Sequence, residues 1–180
     1  MELNYVLTLE DYVAFSVDQS RTIPSYRRQG LIYRLSGFLI FAIFGAWKAV
    51  KTPGGSILSL VVFAVLAVAW VGLYGRYAKW SMRRQYRAYF RNPEHTQRLG
   101  LRHMKLNEKE MILEMEGGEP ETIDLSGITR LTSDKGHYFL YFGDLAGMPV
   151  PYSAFATKDE GWEFLRLIRA GAPALGSQEE

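Results

Sequence analysis

The chain has 180 residues, of which 48% are hydrophobic, a formal net charge of +2 and no cysteine. That length holds one domain of ordinary size, or a small domain with a membrane anchor; the missing cysteines exclude a disulfide framework, a thiolate nucleophile and a Cys-based zinc site. Charge is segregated: residues 76–105 hold nine Lys or Arg against one acid, Glu94, while 106–180 hold fourteen acids against six Lys or Arg, so these regions meet different surroundings.

The N-terminus, "MELNYVLTLEDYVAF", is acidic and has no apolar run directly behind it, which is not the pattern of a signal peptide; membrane insertion would use an internal, uncleaved segment. "ELNYVLT" alternates Leu3, Tyr5 and Leu7 as a strand does, and Thr8 caps a helix beginning "LEDYVAF". Residues 1–29 are expected to pack on a domain at the other end of the chain.

Residues 30–75 read as a transmembrane hairpin, with spans at about 31–50 and 56–75. Ile57 to Tyr74 are eighteen residues without a charge, about 27 Å of helix and close to the thickness of a bilayer's hydrocarbon. A soluble core helix seldom needs apolar residues on every face. The first span is charge-free only from Leu35 to Trp47, with Arg34 and Lys48 placed to snorkel at its ends. Tyr33, Trp47, Trp70, Tyr74, Tyr77 and Trp80 fall where an aromatic belt would. "KTPGGS" is a tight reversal. Ten Lys or Arg flank the outer ends of the two spans, against Lys48 and Lys51 at the turn; the positive-inside rule puts both termini in the cytoplasm. Gly37, Ala42, Gly45, Ala46 and Ala49, with Ala64, Ala67, Ala69 and Gly72, suit close helix packing within the hairpin or between copies.

Residues 76–97 continue as a basic stalk helix. At 100° per residue Arg76, Arg83, Arg84, Arg87 and Arg91 share one face, with Lys79 nearby, while Met82, Tyr86, Tyr89 and Phe90 lie elsewhere. The stripe reads as a topology signal, or as a contact of Arg76, Lys79, Arg83, Arg84, Arg87 and Arg91 with anionic lipid headgroups. Nucleic acid is not expected, because the stripe starts at the membrane surface and an acidic domain follows.

From 98 to 172 the pattern is that of a small β domain. "EMILEMEGGEPETIDL" is a hairpin that turns at Gly117-Gly118 and puts Met111, Leu113 and Met115 on one face. "SGITRLTSDKGHYFLYF" gives two strands around Asp134-Lys135-Gly136, and "MPVP" a last edge strand. In "TKDEGWEFLRLIRAG" Thr157 and Glu160 form a capping box, Trp162, Phe164, Leu165, Leu167 and Ile168 the apolar side, and Gly171 and Pro173 the stop. Residues 173–180 read as a disordered tail.

The order of "LTLEDYVAF", two spans, a basic exit helix, "IDLSGITRLTSDKGHYFLYF" and "VPYSAFATKDEGWEFLRLI" resembles the YcxB-like bacterial membrane proteins. The resemblance implies a multi-pass protein of the bacterial cytoplasmic membrane and supplies no catalytic residues. Strands closed by a C-terminal helix are also similar to pleckstrin-homology-like domains. The fold class expected is therefore α+β: a transmembrane hairpin plus a small antiparallel β domain closed by a helix.

Catalytic motifs are missing. His95, His103 and His137 lack metal-ligand spacing, and no phosphate loop, nucleophile elbow or dinucleotide fingerprint occurs. No cofactor, metal or small-molecule substrate is expected. The leading expectation is a non-enzymatic, membrane-anchored interaction module that binds a protein partner or anionic lipid. The alternatives are an accessory subunit of a transporter or envelope complex, self-associating or joined to a membrane-protein partner through the hairpin, and a lipid-acting enzyme.

Overall fold

Alternation at the N-terminus builds β1 (Glu2–Leu7), in which Leu3, Tyr5 and Leu7 are buried and the residues between them exposed. The computed structural model describes residues 1–51, 56–96, 98–115, 117–143 and 146–178. β1 pairs antiparallel with β2 (Gly100–Leu106), and β3 (Glu110–Met115) and β4 (Glu121–Asp124) complete a four-stranded sheet in the order β1-β2-β3-β4. Register sets Leu3 against Met104 and Met104 against Leu113, so one face is a continuous apolar surface. The expected hairpin is present: Met111 and Leu113 are buried and Met115 half-buried on that face.

A second sheet follows a short 3₁₀ turn at Leu125–Gly127: β5 (Ile128–Ser133), β6 (His137–Phe142) and β7 (Ala146–Pro151), antiparallel in the order β5-β6-β7. The proline-bearing β7 lies at the edge, as its sequence predicts. Leu140, Ile128 and Val150 enter one core with Leu3, Met104, Met111, Leu125, Phe164 and Ile168. The other face of β6 is covered as well. Helix α1 (Leu9–Thr22) lays Phe15 on Phe139 and Tyr141, with ring centroids at 5.9 and 5.1 Å. This is why "HYFLYF" is apolar at nearly every position: a strand buried on both faces has no solvent side. Gly147 lies under the Phe15 ring, where a Cβ would come 2.7 Å from it.

The C-terminal helix, here α4 (Lys158–Gly171), starts as expected, with Thr157 Oγ1 accepting the Glu160 N–H at 3.3 Å. Glu160 reaches back to the Ala156 N–H, at 2.7 Å. Its apolar side differs from expectation in one residue. Phe164 and Ile168 are fully buried, but Trp162 is 69% exposed. The buried positions Gly161, Phe164 and Ile168 follow i, i+3, i+7, and a residue two before Phe164 is about 200° round the helix from it. Leu165 and Leu167 are half-buried against the core. Residues 173–178 form a 3₁₀ turn in place of the start of a disordered tail, with the Leu175 N–H donating to the Ala172 carbonyl at 3.0 Å.

These elements make one unit, Met1–Asp18 with Arg83–Glu180; Gln19–Met82 makes a second. The second holds helix α2 (Pro24–Lys51) and most of α3 (Ser56–Tyr89), both long and apolar enough to cross a membrane. Arg34 sits over the Tyr74 ring at 5.2 Å, Gly37 lies against the Trp70 indole, and Gly45 against Phe63, where a Cβ would come within 2.8 Å. These pairs advance along one helix as they retreat along the other, so α2 and α3 run antiparallel. Of the small residues expected to pack, Gly45 and Ala67 are buried and Gly37 and Ala49 half-buried; Ala42, Ala46, Ala64, Ala69 and Gly72 face outward. The reversal expected within residues 51–56 falls largely outside the described residues. The fold is thus α+β, with two long apolar helices, two antiparallel sheets and a C-terminal helix.

Burial in α4 separates two neighbouring aromatics. Phe164→Ala should destabilise the protein by about 3–5 kcal/mol, and Trp162→Ala by less than about 0.5 kcal/mol, as read by chemical denaturation of the full chain. Comparable losses would mean that Trp162 packs against something.

Candidate functional site

Helix α3 runs unbroken to Tyr89, so the basic stretch is helical up to that residue. Arg76, Lys79, Arg84, Arg87 and Arg91 are exposed. Arg83 is committed differently: its Nη2 and Nε donate to Glu10 Oε2 at 2.6 and 2.9 Å. Both partners stay substantially solvated, so the pair orients α1 more than it stabilises it. Arg83 is therefore engaged with α1.

The neighbouring face of this helix end packs on α1 as well. The Tyr86 hydroxyl is 2.5 Å from Ser16 Oγ, and Tyr12 lies between Tyr86 and the buried Phe90, with ring centroids at 6.2 and 5.1 Å. Helix α1 thus covers Tyr86 and Phe90. Tyr89 is exposed and stacks on His95 at 3.9 Å.

His137 is the most connected of the three histidines. Its Nε2 is 2.8 Å from Asp11 Oδ1 and its Nδ1 3.0 Å from Asp134 Oδ1. The second Asp11 oxygen caps α1, accepting the Thr8 N–H and hydroxyl at 2.6 and 2.7 Å. Partial burial pushes the Asp134 carboxyl up, but the Gly136 N–H and His137 outweigh it and hold the group below its ordinary range. The stability carried by those bonds is present at neutral pH and fades as pH falls through the lowered value. Farther along α1, Asp18 Oδ2 accepts from Tyr141 at 2.5 Å and Thr132 at 2.6 Å.

This cluster is a clasp. A general base needs a free ring nitrogen aimed at a substrate, and both nitrogens of His137 face carboxylates. Among the described residues no three His, Asp or Glu converge as metal ligands would. His103 bonds Asn4 at 2.6 Å across β1 and β2, and the Lys105–Glu114 pair is a sheet-surface contact. The residues that sequence reasoning passed over are Asp11, Phe15 and Asp18. They lie at i, i+4, i+7 and form the stripe of α1 that meets β6. The signal was available in β6, whose two-faced apolarity requires a cover.

Residues 106–168 match a protein-family model described as YcxB-like protein. No curated protein and no solved structure matches the chain. The matched segment runs from the last residue of β2 to Ile168 in α4 and leaves out β1, α1 and both long helices. The chain carries a YcxB-like domain at residues 106–168, with two candidate apolar spans N-terminal to it.

Proposed function

We propose that this protein is a membrane-anchored, non-enzymatic module. Helices α2 and α3 form a transmembrane hairpin, and a pleckstrin-homology-like domain at the cytoplasmic face of a bacterial inner membrane binds anionic lipid or a protein partner. One observation carries this reading. The two apolar helices are exposed around nearly their whole circumference, only 6% of each apolar window being buried, which is costly in water and natural in lipid. Seven antiparallel strands in sheets of four and three with a closing helix support the pleckstrin-homology-like assignment. The ten-to-two distribution of basic flanks supports cytoplasmic termini.

Outward-facing Ala42, Ala46, Ala64, Ala69 and Gly72 favour a second reading, in which the hairpin is the working surface of an accessory subunit or a self-associating protein. Purification from native membrane in mild detergent separates the two: a stoichiometric span-rich companion supports the accessory role, and its absence supports the module.

Topology is tested by cysteine labelling of intact cells. A cysteine at Gly54 should react with a membrane-impermeant reagent and one at Glu163 should not; the reverse pattern would overturn the orientation.

The exposed basic residues have their own test. Each contact with an anionic surface contributes about 1 kcal/mol and decays within a Debye length. An environment-sensitive dye on Ala88→Cys should shift to a more apolar signal in liposomes containing phosphatidylglycerol than in phosphatidylcholine alone. Arg87→Gln with Arg91→Gln should reduce that difference, as should high salt. An identical dye signal in both liposome types would leave the stripe as a topology signal.

A further inference from the structure

Strand alternation places Arg102 on the inner face of β2, in line with Met104 and Leu106, and the β1–β2 register sets it directly opposite Tyr5. Both are buried, Arg102 at 6% and Tyr5 at 4% exposure. A buried guanidinium requires compensation by an opposite charge or a full set of acceptors. The acids of the neighbouring elements are committed elsewhere: Glu10 to Arg83, Asp11 to Thr8 and His137, and Glu114 to Lys105. Among the described residues no carboxylate pairs with Arg102.

What it has instead is neutral. Arg102 Nη2 donates to the Arg98 carbonyl at 2.5 Å, and the Tyr12 hydroxyl donates to the same oxygen at 3.0 Å. A guanidinium carries five N–H donors; the Arg98 carbonyl and the Tyr12 hydroxyl, which also bonds Arg102, are neutral and do not balance its charge. The Tyr5 hydroxyl is buried without any hydrogen-bond partner, which is rare for a polar atom in a folded interior. Burial pushes both the Tyr5 and Tyr12 hydroxyls up, against the pull of Arg102 on each and of Arg98 on Tyr12. Both therefore remain protonated donors at neutral pH, and the Arg98 guanidinium acts on Tyr12 from the exposed side. Among the described residues the donors in this place outnumber the acceptors, and no carboxylate balances the Arg102 charge.

We propose that Arg102, Tyr5 and Tyr12, with Arg98 at the rim, bind a phosphate group, carried either by a lipid headgroup or by a free phosphate ester. A phosphate supplies the missing negative charge and accepts from a guanidinium fork and from hydroxyls together. Its several oxygens match a donor set larger than a carboxylate can use. The Tyr86 and Phe90 rings hold Tyr12 in place from the end of α3. The assignment rests on reading the domain as a binding module, but it does not depend on the exposed stripe of α3.

The test is the melting midpoint of the full chain in a non-ionic detergent at fixed ionic strength. One arm adds inorganic phosphate in exchange for chloride; the other dopes the micelles with phosphatidylglycerol. A saturable rise in the phosphate arm assigns the site to a free phosphate ester, and a rise only in the doped micelles assigns it to a lipid headgroup. Tyr5→Phe removes only the unpartnered hydroxyl. It should leave the ligand-free midpoint unchanged or higher, yet weaken the response about tenfold, the effect of losing one hydrogen bond to a charged group. Arg98→Gln should weaken it too, and Arg102→Met should abolish it; should Arg102→Met fail to fold, Tyr5→Phe decides. No shift with either probe, or an undiminished shift in both Tyr5→Phe and Arg98→Gln, overturns the site and reduces Arg102 to a bracket on the Arg98 carbonyl. Such a result alongside the expected labelling at Gly54 would remove the phosphate site and leave the membrane-anchored module standing.

Discussion

The pairing of β1 with β2 is the contact on which the rest of the domain depends. It joins residues about a hundred positions apart, Leu3 with Met104, across the whole of the two long helices. Closing so long a loop costs only slowly growing entropy, and the return is large: Leu3, Tyr5 and Leu7 complete the inner face of the four-stranded sheet. Without β1, strand β2 would be a bare edge with an open row of backbone donors and acceptors. Helix α1 follows immediately and makes the second indispensable contact, covering the outer face of β6 through Phe15 and fastening it with Asp11 and Asp18. The matched family segment begins at residue 106, so the elements that finish both sheets lie outside it.

This arrangement constrains the apolar helices in a way that charge counting does not. Segment Gln19–Met82 is an insertion: the chain enters it from the β domain and returns from it to the same domain. Within it α2 and α3 are antiparallel, so the proposed hairpin would place both of its ends on one side of a bilayer, whichever side that is; the distribution of Arg and Lys is what bears on the side.

Much of this was legible in the sequence. The two apolar helices, the β3–β4 and β5–β6 hairpins, the edge position of β7 and the Thr157 cap each have a local cause, in periodicity, turn residues or a side-chain cap, and local causes can be read locally. Trp162 shows where composition misleads: it is apolar and lies in the right helix, but its angular position turns it away from the core, and angle decides burial. The polar contacts were harder. Arg83 looks like one more member of a basic stripe until Glu10, far away in sequence, is brought beside it. Arg102 is one of the nine positive charges of 76–105, and nothing local distinguishes it from Lys105, which faces the other side of the same strand. Only the register of β1 on β2 shows that one is buried and the other solvated.

The acids of the N-terminal helix fasten three parts of the fold. Glu10, Asp11 and Asp18 each hold a different element: the end of α3, the β5–β6 turn through His137, and the middle of the second sheet. An acid engaged in this way is fixed by its partner and cannot turn toward another cation without releasing an element of the fold. The same residues that attach α1 are thereby withheld from Arg102, which among the described residues meets hydroxyls and a carbonyl but no carboxylate. A carboxylate placed opposite Arg102, for instance at Tyr5, would satisfy the guanidinium permanently; a tyrosine there leaves it buried, aligned and short of one anion. Among the described residues, the missing counter-charge at Arg102 is therefore a consequence of how the acids of α1 are used.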